Sequence, residues 1–117
     1  MIFKNEEHKS SYEEFKLRAC VREGDKERQS LFYLLALLED TRNNINDLYN
    51  FKENLIKFEG LSKCWQTGGS TRITKLAFNL YNGWHGENGE DYSPLHLFNV
   101  DDDNRGYLLE AIRIRFS

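Results

Sequence analysis

The hydrophobic residues of this chain recur at helical spacing over most of its length. The longest apolar run, Leu31–Leu38, has leucine and alanine in place of β-branched residues, which predicts a helix buried on all sides. A second apolar stripe has the i, i+3, i+4, i+7 spacing of an amphipathic helix. Its members are Ile73, Leu76, Ala77 and Leu80. Because the first run must be shielded from water, we expect the two helices to pack together. The core predicted in this way includes Leu31, Leu34, Leu35 and Leu38.

Polar residues and glycines indicate where the N-terminal helices begin and end. Asn5 is a candidate N-cap for a first helix that runs to about Arg22 and is stopped by Gly24. Asp25 can cap the second helix, which contains the long apolar run. A helical stripe then continues over 45–56, where the asparagines of 43–50 predict a kink or a break.

The C-terminal half combines one clear helix with less regular segments. Ser70 or Thr71 is the expected N-cap of the amphipathic helix, after a flexible corner at 68–69, and Asn82-Gly83 its end. The segment 84–93 reads as an irregular acidic loop, and 94–100 as irregular or a single turn. The segment 108–116 fits either a helix or a short strand, and we favour helix. The predicted fold is therefore mainly α: one domain over residues 1–117, with about four to five helices.

Composition and charge exclude several classes of protein to which this chain could belong. The 117 residues carry a net charge of −3, so general nucleic-acid binding through phosphate contacts is not expected. We expect no signal peptide, because the N-terminal residues lack an apolar run, and no membrane span, because no stretch is long and apolar enough. Cys20 and Cys64 have no ligand or redox spacing, so we expect two reduced, buried thiols in a cytoplasmic protein.

No motif for catalysis or for a metal stands out. His8, His85 and His96 form no ligand pair, and no nucleophile has a recognisable partner. The acids 101–103 resemble the start of a calcium loop, but Ile112 stands where the bidentate Glu is required. We therefore expect no cofactor, no metal and no enzymatic activity.

The turn TGGSTR is the candidate for ligand binding. Backbone N–H groups, two hydroxyls and an arginine at a helix N-terminus can hold an anion, and nearby tryptophans could stack a base. The same turn also fits a capped corner without a ligand. The candidate anion-binding residues are Trp65, Gln66, Thr67, Gly68, Gly69, Ser70, Thr71, Arg72, Lys75, Asn79 and Trp84.

Acidic residues concentrate in the C-terminal third. They could form a patch offered to a basic partner, while the run 101–103 also fits a helix N-terminus, which the helix dipole makes favourable for acids. The candidate partner-binding residues are Glu87, Glu90, Asp91, Asp101, Asp102 and Asp103.

Several blocks of the chain resemble a small uncharacterised family. The blocks are MIFKNEEHKSSYEE, INDLYNF, GL..CWQTGGSTR..KLAFNLYNG and LEAIRIRF, and the one from WQT to LAFNL is the most specific. The family that these blocks resemble occurs in Firmicutes and in their phages and mobile elements. The resemblance implies an origin among mobile elements and implies no chemistry.

Two hypotheses about function follow. The first is a non-catalytic phage or mobile-element protein that binds and inhibits a host defence protein, as an anti-CRISPR does. The second is a sponge for a cyclic nucleotide or another phosphate-bearing signal. Under either hypothesis the protein could also form a homo-oligomer. A metal-dependent hydrolase or nuclease is a third and weaker hypothesis, which requires the acids of 87–103 to converge in space.

Overall fold

The structure is a computed structural model that describes residues 1–87 and 89–117. Most of the chain is helical, which confirms the predicted fold class. The long helices are α1 (Glu6–Arg18), α2 (Lys26–Leu35), α5 (Gly68–Asn82) and α7 (Asp102–Arg115). The short helices are α3 (Glu39–Asn43), α4 (Ile45–Leu48) and α6 (Pro94–Leu97). The chain also forms a 3-10 helix (Phe58–Ser62) and an antiparallel hairpin of β1 (Tyr49–Asn50) and β2 (Leu55–Ile56).

Helix α2 is the centre around which the other long helices pack. Every residue of Leu31–Leu37 is at most 2% exposed, because α1, α5 and α7 cover α2 on different sides. The predicted burial of this apolar run is confirmed up to Leu37. Leu38 is only half-buried, since the helix has ended and this residue is the extended N-cap of α3.

Helix α5 buries the predicted stripe against α2. Ile73, Leu76, Ala77 and Leu80 are all buried. Its end at Gly83 (φ 80°) is confirmed, but its predicted start is wrong. The N-cap is Thr67, whose hydroxyl accepts the Ser70 N–H while the Ser70 hydroxyl accepts the Thr67 N–H. Gly68 and Gly69 are therefore the first helical residues and not a flexible corner.

Helix α1 begins as predicted and ends four residues early. The Asn5 side chain accepts the His8 N–H. The helix stops at Arg18 because Cys20 takes a left-handed conformation (φ 53°), and the Val21 N–H reaches the Lys16 carbonyl in a Schellman closure. That position is usually glycine, which is why Gly24 was the expected stop.

The expectation that both cysteines are buried is wrong. Cys20 and Cys64 are exposed. Cys20 occupies the corner after α1, and Cys64 lies in the turn that follows the 3-10 helix.

The predicted helical stripe over 45–56 is also wrong after its first turn. Helix α4 ends at Leu48, and the chain reverses through the hairpin, in which Tyr49 pairs with Ile56. The reversal needs a left-handed residue, which is Asn54 (φ 58°). The apolar residues of this stretch lie on a folded-back loop and not along one helix face.

The C-terminal segment 108–116, for which a helix or a short strand was expected, belongs almost entirely to a helix. Helix α6 is the single turn expected near Pro94, and α7 runs through to Arg115. The acids of 101–103 stand at the N-cap and first turn of α7, where the helix dipole favours them. The predicted irregular loop 84–93 includes Asn88, which lies outside the described residues. In the part of the chain that the structure describes, no helix is long and apolar enough to cross a membrane.

Candidate binding site

Two partly exposed aromatic rings stack where the 3-10 helix meets the end of α5. The rings of Phe58 and Trp84 are 5.0 Å apart between centroids and inclined by 21°. Phe58 is 52% exposed, and the neighbouring Leu55 is 55% exposed. We call Leu55, Phe58 and Trp84 the aromatic ridge.

Local hydrogen bonds hold the tryptophan of the ridge in place. Gly83 turns the chain out of α5, after which the Asn82 side chain accepts the Trp84 N–H and the Asn79 amide donates to the Trp84 carbonyl. The polar residues at the end of α5 thus fix the backbone from which the indole projects.

The first of two clefts beside the ridge lies between α2, β2 and the end of α5. This Arg28 cleft has a volume of about 480 Å³. One wall is apolar, and the other carries two carboxylates, an arginine, a phenol and an amide. The lining residues are Asp25, Glu27, Arg28, Leu55, Ile56, Phe58, Tyr81, Asn82 and Trp84.

The arginine of this cleft is held by four hydrogen bonds. Its Nε donates to the Tyr49 hydroxyl (2.9 Å), and its Nη1 donates to Asp25 (3.1 Å). Its Nη2 donates to the Asn54 carbonyl (2.8 Å) and the Tyr81 hydroxyl (3.1 Å). Burial opposes the charge of Arg28, but the hydrogen bonds to Tyr49 and Asp25 outweigh it and raise the pKa of the guanidinium. Arg28 therefore ties α2 to the hairpin and to α5 and shapes the cleft.

The second cleft lies on the other side of the ridge and is acidic. This Glu87 cleft has a volume of about 270 Å³, and its lining residues are Phe58, Glu59, Leu61, Ser62, Trp84, Glu87 and Glu90. Three of them are carboxylates, and no lysine or arginine is among the described residues that line it. Glu90 accepts the Glu87 N–H at 2.9 Å, which ties two of these carboxylate-bearing residues together.

The buried edge of the ridge is occupied by Tyr92. Burial raises the pKa of the Tyr92 hydroxyl to about 12, and Glu90 adds to the effect, while the nearby Trp84 indole N–H lowers it. Neither the Tyr92 hydroxyl nor the Trp84 Nε1 makes a well-formed hydrogen bond with any residue that the structure describes. The indole therefore faces inward with its polar edge and presents its ring to Phe58.

A third cleft, of about 380 Å³, lies at the start of α5. Four of the predicted anion-binding residues line this Arg72 cleft: Thr67, Gly69, Ser70 and Arg72. Arg72 Nη1 lies so close to Gly68 that a Cβ there would be 3.0 Å away. Arg72 Nε is buried and has no hydrogen-bond partner among residues 1–87 and 89–117. The carboxylate-bearing Asp101 lines the same cleft from the start of α7.

One family model matches residues 1–117, that of DUF6075, a family of unknown function. The chain belongs to this family. No curated protein and no solved structure matches the chain significantly. Membership of an uncharacterised family, which the WQT to LAFNL block indicated, is confirmed.

The remaining predicted anion-binding residues of the DUF6075 chain do not line the Arg72 cleft. The Trp65 indole donates to Asp47 at 2.9 Å, and the Gln66 amide donates to the Gly60 carbonyl at 3.1 Å. Lys75 lies over the Tyr92 ring, and Trp84 lines the other two clefts. Asn79 supports Trp84, as described above. The Thr71 hydroxyl is 3.5 Å from the Gln66 side chain. No tryptophan is therefore among the described residues that line the Arg72 cleft.

The acidic residues of the DUF6075 chain divide into two groups. Glu87 and Glu90 lie beside the ridge, and Asp91 binds the Ser93 N–H, which lowers the pKa of that carboxyl. The other group begins α7, where Asp103 pairs with Lys4 (3.4 Å) and Asp102 with Arg105. Glu87 and Glu90 line the Glu87 cleft at one end of α5, and Asp101 lines the Arg72 cleft at the other. Among the described residues, no three His, Cys, Asp or Glu side chains are grouped as metal ligands.

Three residues of this site, Arg28, Leu55 and Phe58, were not predicted from the sequence. Leu55 belonged to the stripe interpreted as helical, a pattern that hides a hairpin corner. Arg28 belongs to the charged stretch before the apolar run, which indicated only the start of a helix. A possible signal was the polar pair Asp25 and Arg28, which are spaced i, i+3 on the first turn of α2.

Proposed function

We propose that this protein is a non-catalytic binding protein that docks a host protein through the aromatic ridge. The observation that carries the proposal is the stacked and partly exposed pair of Phe58 and Trp84 between two clefts with acidic walls. Aromatic side chains with apolar neighbours are the usual anchors of protein interfaces. The surrounding carboxylates would steer a basic partner and add specificity.

We further propose an origin in a phage or mobile element and a role in inhibiting host defence. The support is the family resemblance through the WQT to LAFNL block, together with a surface suited to binding and no catalytic motif in the sequence. A CRISPR effector or another defence protein would then be the partner. Such an inhibitor would act in the cytoplasm of the host.

The test compares Phe58→Ala with Leu109→Ala in a defence assay. The two side chains have similar exposure, 52% and 60%, but Leu109 lies on α7, outside both clefts beside the ridge. A Firmicutes host carrying a defence system would express each variant and be challenged with a sensitive phage. We expect plaques with wild type and with Leu109→Ala, and few with Phe58→Ala. The defence protein should co-purify with wild type and Leu109→Ala and be lost with Phe58→Ala.

Two outcomes would contradict this proposal. Equal plaque numbers for both variants would show that the ridge does not matter, and failure of wild type to permit plaques would remove the anti-defence role in that host. A dimer in light scattering that Phe58→Ala converts to monomer would show that a second copy of the chain covers the ridge.

A phosphate-bearing small molecule is the second candidate ligand. The observation that favours it is Arg72, which stands over the first turn of α5 with its Nε buried and without a hydrogen-bond partner in the described part of the chain. A cation at the positive end of a helix is unfavourable unless an anion is bound. Asp101 at the same cleft opposes an anion, and the absence of tryptophan from the described lining removes the expected base stacking.

A thermal-shift panel of nucleotides tests this candidate. Tight binding to the folded state raises the melting temperature by mass action. We expect any such rise to disappear in Arg72→Gln and to persist in Arg22→Gln, which changes an exposed arginine on another face. A flat panel with wild type would contradict the candidate.

A further inference from the structure

We propose that the Arg28 cleft receives one basic side chain of the protein partner, an arginine or a lysine. Its aliphatic stem would lie on the apolar wall, and its charged end would lie at Glu27, next to Asp25. This inference rests on the proposed docking function and adds the chemistry of the partner's anchor.

The apolar wall of the cleft suits the stem and the charge of such a residue. Ile56 and the three ridge residues form this wall. Lysine and arginine bury their methylene groups on surfaces of this kind while the charge stays at a polar edge. Tryptophan is also the aromatic residue that attracts a cation most strongly, and Trp84 belongs to this wall.

The opposite wall offers acceptors for the charged end. Glu27 is half-exposed, and its contact with Arg115 is 3.6 Å long, which leaves its carboxylate available to a second cation. Asp25 lies beside it at the N-cap of α2 and adds negative charge, although its Oδ1 already accepts the Arg28 backbone N–H and its Oδ2 accepts from the Arg28 guanidinium. The last turn of α5 reaches the cleft through Tyr81 and Asn82, so the negative end of the helix dipole adds to these carboxylates.

Arg28 does not cancel this preference for a cation. A guanidinium has five N–H donors, and the structure gives Arg28 four hydrogen bonds to protein atoms. Its donors are therefore largely unavailable to an anionic ligand, while the carboxylates beside it repel one. The cleft thus combines an aromatic wall, the available Glu27 carboxylate beside the Asp25 charge, and a helix C-terminus, which together select a cation with an apolar stem.

The test uses small probes on the full chain. Butylguanidinium imitates an arginine side chain, and 1-butanol has the same apolar stem without the charge. Each is titrated while the indole N–H signals are followed by NMR, with Trp65 as the internal reference, since its indole is bonded to Asp47 outside the cleft. We expect saturable shifts at Trp84 with butylguanidinium, little change at Trp65, and much weaker binding of 1-butanol.

A matched pair of variants tests the carboxylate contribution. Glu27→Gln should weaken butylguanidinium binding by about two- to fivefold, because an ion pair that is half-exposed contributes about that much to affinity. Glu14→Gln is the control, because Glu14 also forms a long ion pair, 3.7 Å to Arg18, on another helix. Equal binding of 1-butanol, non-saturating shifts, or equal affinity in Glu27→Gln and wild type would each overturn the proposal.

These results are separable from the test of the docking function. If Phe58→Ala abolishes the defence phenotype but butylguanidinium does not bind, the ridge docks a partner without a basic anchor, and this inference is wrong. If butylguanidinium binds and Phe58→Ala retains the phenotype, the chemistry of the cleft is supported and the docking function is wrong.

Discussion

At the scale of single residues, the buried His8 ring has a hydrogen-bond partner for each of its two nitrogens. It is completely buried between the N-terminal segment and α2. Its Nδ1 accepts the Lys4 N–H at 3.1 Å, so its Nε2 carries the proton and donates to the Tyr33 carbonyl at 2.8 Å. The neutral ring therefore satisfies both partners, and a second proton would point at the Lys4 N–H.

This geometry predicts a loss of stability in mild acid. Burial lowers the pKa of His8 below 6.5, against the Tyr33 hydrogen bond, and the charges of Arg42 and Lys4 lower it further. Between that lowered pKa and 6.5 the unfolded chain binds more protons than the folded one. The contribution of His8 is therefore complete above pH 6.5 and falls as the pH falls below it. Urea midpoints at about pH 7.5 and about pH 5 measure the effect.

The control for this prediction is a histidine in an exposed position. His85→Gln should keep the pH dependence of wild type, since His85 is exposed in the loop after α5. An NMR titration in which the His8 ring has its midpoint above 6.5 would show that the buried neutral form is not favoured.

At the scale of elements, the short segments between α2 and α5 depend on close backbone contact. Gly60 in the 3-10 helix is buried against α4, where a Cβ would lie 2.5 Å from the Asp47 carbonyl oxygen and 2.6 Å from a Leu48 methyl. The Trp65 indole bonds to the Asp47 side chain from the same side. These contacts hold the segment that carries Phe58.

Gly60→Ala should therefore destabilise the protein by about 1–3 kcal/mol, the usual cost of overpacking. The added methyl meets backbone, which cannot rotate away as a side chain could. Chemical unfolding followed by circular dichroism measures the change. Gly24→Ala, where no atom lies within 4 Å of the added Cβ, should change stability little. Equal effects of the two substitutions would show that the contact with α4 is loose.

Helix α7 contains a glycine, Gly106, whose replacement by alanine should stabilise the protein, in contrast to Gly60. Gly106 is exposed in the second turn, and no atom lies within 4 Å of a Cβ built there. Gly106→Ala should raise the free energy of unfolding by about 0.5–1 kcal/mol, since glycine loses more backbone entropy in a helix. A thermal or urea unfolding curve checks it, and a lower midpoint than wild type would contradict it.

At the scale of the whole molecule, stability depends on the contact between α2 and α5. Leu35 is 0% exposed and Leu76 is 4% exposed. Both belong to one hydrophobic core that also includes residues of α1 and α7. A single apolar run therefore supports all four long helices.

Leu35→Ala or Leu76→Ala should cost about 2–5 kcal/mol, the range for truncation of a buried leucine. Against a total stability of about 5–15 kcal/mol, such a loss threatens folding. Leu109→Ala makes the same change at a side chain that is 60% exposed, and it should be nearly neutral. Guanidinium unfolding of the three variants measures the differences, and wild-type stability in Leu35→Ala would mean that the core is assigned wrongly.

Most of the long helices and the core could be predicted from local sequence, because periodicity and caps act over a few residues. The apolar run of α2, the stripe of α5, the Asn5 and Asp25 caps and the stop at Gly83 are all confirmed. Two mistakes, the end of α1 and the helical stripe over 45–56, lie where a residue other than glycine takes a left-handed conformation, as Cys20 and Asn54 do. Asparagine adopts this conformation more readily than most residues, but Asn54 is one of several asparagines in this part of the chain, and Cys20 gives no such signal.

Only the tertiary structure decided which residues form the clefts. Arg28 bonds to partners 21, 26 and 53 positions away in sequence, and Phe58 stacks on Trp84 across the end of α5. The acidic residues similarly divide between two ends of one helix, although they are close in sequence. Such contacts depend on how the hairpin and the loop after α5 fold back on the helices, and the packing of the whole chain fixes that arrangement.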